Sequence, residues 1–217
     1  MANVATVSVP AVGSNAGTAE IKDVFESLAA EWKKELDPKS NIAQMVMLKP
    51  YQRIIGMGPP VVPLILDELR REPDHWFWAL EAITGVNPVS ANNAGKVAQA
   101  AQEWIEWGEM HADVHCTPSG EMRQLFSALA EEWLQKSQHM SNNFQSARLM
   151  SYQRIIGMGW PAVPLILEEL GRAPRQWFWA LQAITGENPV SPEIAGKVML
   201  SAQAWIDWGK ARGLIAG

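Results

Sequence analysis

Tyr51-Gln-Arg-Ile-Ile-Gly-Met-Gly58 recurs, letter for letter, as Tyr152-Gln-Arg-Ile-Ile-Gly-Met-Gly159. The offset is 101 residues. It also joins Trp76-Phe-Trp-Ala-Leu80 to Trp177-Phe-Trp-Ala-Leu181, Ile83-Thr-Gly85 to Ile184-Thr-Gly186, and Trp104-Ile-Glu-Trp-Gly108 to Trp205-Ile-Asp-Trp-Gly209. From Phe25/Phe126 to Gly108/Gly209 no gap is needed, and about half of the aligned positions are identical. A unit of about 90 residues exceeds a single solenoid repeat, so the chain reads as a tandem duplication of a small domain. The expected organisation is a flexible tail over 1–18, copy one over 19–109, a linker over 110–119 and copy two over 120–217. Two like copies on one chain predict a pseudo-two-fold arrangement.

Working outward from the repeat, each copy reads as helices. Ile21, Val24, Phe25, Leu28 and Trp32 fall on one helical face, and Met122, Leu125, Phe126, Leu129 and Trp133 repeat the stripe. Glu20 and Glu121 are expected at the start of that helix, where its dipole favours a carboxylate. Ser40-Asn41 and Ser141-Asn142 interrupt the pattern, and a short apolar turn runs from Tyr51 to Ile55 into Gly56 and Gly58. The next helix turns Val62, Ile65, Leu66 and Leu69 inward. Asp74 is the expected cap of the following one, which carries Trp76, Leu80 and Ile83 before Gly85. Ser90, or Ser191 ahead of Pro192, is expected to cap the last helix, with Ala94, Val97, Ala98, Ala101, Trp104 and Ile105 buried. No segment alternates for long enough to require a strand. The fold class is all-α: two tandem homologous helical domains of about five helices each.

Val61-Val-Pro-Leu-Ile-Leu-Asp-Glu-Leu69, Pro73-Asp74 and Ala79-Leu-Glu-Ala-Ile-Thr-Gly85 together resemble a HEAT-like helix pair, over roughly 30 residues of each copy. The sequence departs from that pattern at Trp76-Phe77-Trp78, where the family usually carries a basic residue. The whole unit is similar to an uncharacterised bacterial family with the signature YQxIIGMG…WFWALxAITG. That resemblance implies no particular activity, whereas HEAT-like pairs imply a protein-interaction surface.

Composition narrows the function. Of 217 residues 47% are apolar and 19% charged, which excludes a disordered tail. No apolar run reaches the length of a membrane span, and no basic-then-apolar leader opens the chain, so a soluble cytoplasmic protein is expected. The single cysteine, Cys116, excludes a disulfide framework. A net charge of −5 argues against a general nucleic-acid binder. All of that charge lies in residues 1–110, so facing surfaces of unlike charge are one way the copies would dock.

Eleven tryptophans stand beside five phenylalanines and two tyrosines. Trp76 and Trp104 lie on apolar stripes and belong to the core. Trp78 has Asp74, His75 and Glu81 as helical neighbours, and Trp179 has Arg175, Gln176 and Gln182. Trp107 and Trp208 likewise share faces with polar residues. These rings either pack under another helix or the sister copy, or anchor a partner. The candidate contact surface is Trp78, Trp179, Asp74, His75 and Arg175, with Trp107, Trp208 and Trp160, which stands where copy one has Pro59.

Arg53 and Arg154 precede a glycine-rich turn, but Pro59 and Pro60 remove the backbone donors of an anion cradle. His111, Asp113, His115 and Cys116 hold metal-ligating groups in the linker without an equivalent in either copy, and read as solvated chain rather than a metal site. No catalytic motif or cofactor signature is recognisable; Asp74-His75 becomes Arg175-Gln176 in copy two. The expected function is therefore a non-catalytic protein-interaction module, an adaptor, inhibitor or scaffold subunit, for a symmetric or repeated partner. The rivals are a nucleic-acid-associated regulator using Lys49, Arg53, Arg70, Arg71, Arg148, Arg154, Arg172 and Arg175, and an enzyme with an unrecognised site.

Overall fold

The structure is a computed structural model that describes residues 15–36, 41–111, 119–140 and 142–216. Among these residues every regular element is helical, which establishes the all-α class. Copy one contains α1 (Asn15–Glu35), α2 (Ile42–Met45), α3 (Lys49–Gly56), α4 (Val62–Arg71), α5 (Phe77–Thr84) and α6 (Val97–Met110). Copy two repeats them as α7 (Ser119–Ser137), α8 (Asn143–Ala147), α9 (Met150–Gly157), α10 (Val163–Arg172), α11 (Phe178–Thr185) and α12 (Val198–Ala211). A 3-10 turn precedes α4 at Pro59–Val61 and α10 at Trp160–Ala162.

Several boundaries differ from expectation for local reasons. The interruption at Asn41 opens a short helix, because its side chain accepts from the Gln44 backbone N–H while Gln44 reaches back to the Asn41 N–H. Helix α1 begins at Asn15, inside the stretch expected as a tail, so Glu20 sits past its first turn. Asp74 does not cap α5; its carboxylate accepts from the neighbouring His75 N–H, and Trp76 occupies the cap position without a side-chain bond. Ser90 does not cap the last helix either. Its carbonyl closes a turn onto Asn93 and Ala94, Gly95 then takes a left-handed φ of 83°, and α6 starts only at Val97. That delay leaves Ala94 and Ala98 exposed and buries Ala100, Ala101 and Trp104.

An aromatic cluster organises each copy. Tyr51 stacks on Trp76 with ring centroids 5.5 Å apart, and Trp32 tilts against Trp76 at 4.5 Å; Tyr152, Trp177 and Trp133 repeat this at 5.4 and 4.4 Å. The Tyr51 hydroxyl donates to the His75 carbonyl and accepts from the Ala79 N–H, which ties α3 to the start of α5. Burial pushes the Tyr51 and Tyr152 phenols well above their ordinary pKa. The indole N–H groups of Trp76, Trp104, Trp177 and Trp205 are buried without an acceptor among the described residues, a cost that both copies carry at matching positions.

One continuous core contains residues of both copies. Helix α3 packs on α1 and α5 of its own copy and on α9 and α11 of the other, while α9 meets α5 in return. A Cβ on Gly56 would lie 2.8 Å from the Ile184 Cα, and one on Gly157 would lie 2.8 Å from the Ile83 Cα. Only a glycine lets the two backbones approach so closely. A contact that repeats with the two partners exchanged between the copies, one shifted forward and the other back by 101 residues, marks a two-fold relation between them.

Candidate functional site

The two-fold relation brings Gln52 and Gln153 together in the buried centre. The Gln52 Nε2 donates to the Gln153 Oε1 at 2.7 Å and to the Val46 carbonyl at 2.9 Å. In return the Gln153 Nε2 donates to the Gln52 Oε1 at 3.0 Å and to the Ala147 carbonyl at 2.9 Å. The remaining lone pairs accept from indoles: Trp179 Nε1 donates to Gln52 at 2.9 Å, and Trp78 Nε1 to Gln153 at 3.3 Å. Both amides thus use two donors and two acceptor positions, as a buried polar network must.

Trp78 and Trp179 are therefore half-buried against the sister copy, which is the packing alternative for these rings, and their N–H groups are spent there. The contacts that join the copies are neutral amides, indoles and backbone, with one further pair of side chains. Arg53 NH1 donates to the carbonyls of Ala183 and Ile184 at 2.9 and 2.8 Å, at the C-terminal end of α11. This places a cation where the helix dipole is negative. Arg154 lies reciprocally over Gly85, the C-cap of α5. Neither guanidinium ion-pairs with a carboxylate among the described residues.

The other expected contact residues lie apart from this centre. Trp208 is buried; its Nε1 donates to Glu187 at 2.9 Å, and Arg212 covers its ring at 4.4 Å. Trp107 is half-buried and stacks on the exposed His111 at 4.7 Å. Arg175 is exposed, and Asp74 and His75 are half-buried. Of the basic residues, Arg70 pairs with Asp67 and Glu109, Arg71 with Glu68 and Arg172 with Glu169. Asp113, His115 and Cys116 fall outside the described residues. No helix among the described residues is long and apolar enough to cross a membrane.

Trp160 leads to a feature that residue patterns alone did not disclose. A cavity of about 330 Å³ lies across the two-fold relation. Ile21 and Val24 of α1 line it together with Met122, Leu125 and Leu129 of α7, and Trp160 faces it where Pro59 stands on the other side. Gly56 and Gly157 belong to its lining, as do Arg53 and Arg154. Ile21/Met122 and Val24/Leu125 were legible as stripe residues, yet nothing in a single copy shows that the two stripes converge. Here α1 buries Phe25, Ala29 and Trp32 in its own copy and leaves Val24 39% exposed beside the cavity.

No family model, curated protein or solved structure matches the chain.

Proposed function

We propose that this chain is a non-catalytic protein-interaction module whose contact surface is the apolar groove between α1 and α7. One observation carries the reading: a cavity of about 330 Å³ with an apolar lining and a partly exposed Trp160 opens between the two copies. Its size falls in the range of recognition pockets, and an aromatic ring beside an adaptable methionine suits a binding hot spot. The Trp78/Trp179 pair then serves the partner indirectly, by holding the two halves of the groove in register. Adaptor, inhibitor and scaffold roles all follow from such a surface.

The test is nuclease-treated affinity capture from the source cells with the wild-type chain, Val24→Glu and Trp160→Ala, each variant checked by thermal melting. Val24 is exposed, so Val24→Glu is expected to keep Tm near the wild-type value, whereas Trp160 stacks on buried Trp208 and Trp160→Ala is compared well below its own Tm. A stoichiometric protein lost from both variants is the expected result. A partner retained by both, or one released by nuclease alone, refutes the reading.

A further inference from the structure

We propose that the occupant of this groove is an amphipathic helix of the partner protein, with a carboxylate beside its apolar stripe that Arg53 receives. This rests on the groove being the partner surface.

The form of the occupant follows from the spacing of the lining. Ile21 and Val24 are three residues apart on α1, and Met122, Leu125 and Leu129 follow at three and four on α7. Each set is a row along one helical face. Two such rows make the furrow that the ridges of a third helix fill at the usual interaxial distance of about 8–10 Å. Met122 and Leu129 are buried at the floor of this furrow, while Ile21, Val24 and Leu125 stay at least partly exposed along it. Met57, partly exposed in the lining, supplies an unbranched side chain that adjusts to the partner's.

Charge sets the chemistry and the direction. Arg53 lines the groove with NH1 held by two carbonyls, and no described carboxylate lies within ion-pair distance of its remaining donors. Desolvation lowers its pKa, the mark of a cation without enough compensation. Burial raises the pKa of the Glu81 carboxyl, and the charge of Arg154, across the two-fold relation, opposes that rise only in part. The residue matching Glu81 in copy two is Gln182, so Arg53 has no such neighbour. The two halves of the groove thus differ in charge as they do in shape at Pro59 and Trp160, which selects one direction of a bound helix.

The experiment uses the full chain and two acetylated, amidated helical peptides with leucines at i, i+3, i+4 and i+7. One carries glutamate beside the stripe and the other glutamine at the same positions. By calorimetry the glutamate peptide is expected to bind about tenfold more tightly, the size of one charge-assisted hydrogen bond. Arg53→Gln and, separately, Gln182→Glu remove that preference, the second without deleting any group; Arg154→Gln leaves it, and Val24→Glu abolishes binding of both peptides. Equal binding of the two peptides overturns the carboxylate assignment while the groove reading stands. No binding of either overturns both. A preference lost with Arg154→Gln but not with Arg53→Gln also overturns the assignment. Self-association abolished by Val24→Glu would give the groove to a second copy, and binding seen only after deletion of residues 1–14 would give it to the chain's own N-terminal segment; either result overturns the proposal.

Discussion

Gly56→Ala tests the closest approach between the copies. Gly56 ends α3 with no left-handed φ, so alanine fits its backbone and gains helix propensity of up to about 1 kcal/mol. The new Cβ, however, meets the main chain of α11, 2.7 Å from the Ala183 carbonyl carbon and 2.8 Å from the Ile184 Cα. Backbone cannot rotate away as a side-chain tip can, so α11 must move and loosen the carbonyls that Arg53 holds. Overpacking of this kind costs about 1–3 kcal/mol, and the rigid obstacle puts this site at the upper end. After the propensity gain the net loss is about 2 kcal/mol, or a Tm lower by about 5 °C for a chain of this size. Urea unfolding followed by far-ultraviolet circular dichroism measures it. Gly171→Ala is the control: it lies in α10 with nothing within 4 Å of an added Cβ, and is expected to stabilise by about 0.5 kcal/mol. If Gly56→Ala matched Gly171→Ala in raising stability, α3 and α11 would not be in contact through this glycine.

Gln52→Leu and Gln153→Leu are each expected to cost about 3 kcal/mol, since each strands an indole N–H, a backbone carbonyl and the other amide. The double variant is expected to cost less than the sum by at least about 1 kcal/mol in a double-mutant cycle; additivity would show that the two amides do not interact. Trp179→Phe is expected to lower stability more than Trp78→Phe, because its hydrogen bond is 2.9 Å against 3.3 Å; the reverse order in urea titrations would contradict the geometry. Both tyrosines have their folded pKa raised, so their contribution is complete below the unfolded value of about 10 and is lost as pH rises above it. Tyrosinate absorbance is then expected to appear only together with loss of helix; ionisation while the chain is still folded would refute the burial of both rings.

The duplication was legible because a shared offset needs no structure to detect, and the all-α class was legible from apolar stripes at helical spacing. The buried faces of Trp32, Trp76 and Trp104 were legible from helical spacing. What failed was local: Ser90 and Asp74 are good capping residues, but each satisfies a nearby turn or its own neighbour instead. The destination of Trp78 was open for a different reason. Helical neighbours of mixed polarity describe its own copy, whereas its hydrogen-bond acceptor, Gln153, is 75 residues away. The groove was hidden on the same ground, since its two rows belong to helices that the linker separates.

The two copies are alike at the joint, whose residues also form part of the groove lining, and differ along the groove walls. At six of the positions where they touch, they are the same: Gln52/Gln153, Arg53/Arg154, Gly56/Gly157, Trp78/Trp179, Ala82/Ala183 and Ile83/Ile184, whereas Met47, which meets Gln153, has Arg148 as its counterpart. Reciprocal contacts between like residues are the form a self-complementary joint takes. Along the groove they diverge: Ile21 against Met122, Val24 against Leu125 and Pro59 against Trp160, with Glu81 against Gln182 next to the paired arginines. A groove made by two identical chains would accept a helix equally in both directions. Placing both copies on one chain lets the lining differ while the joint between copies stays symmetric, and that freedom is what a directional partner needs.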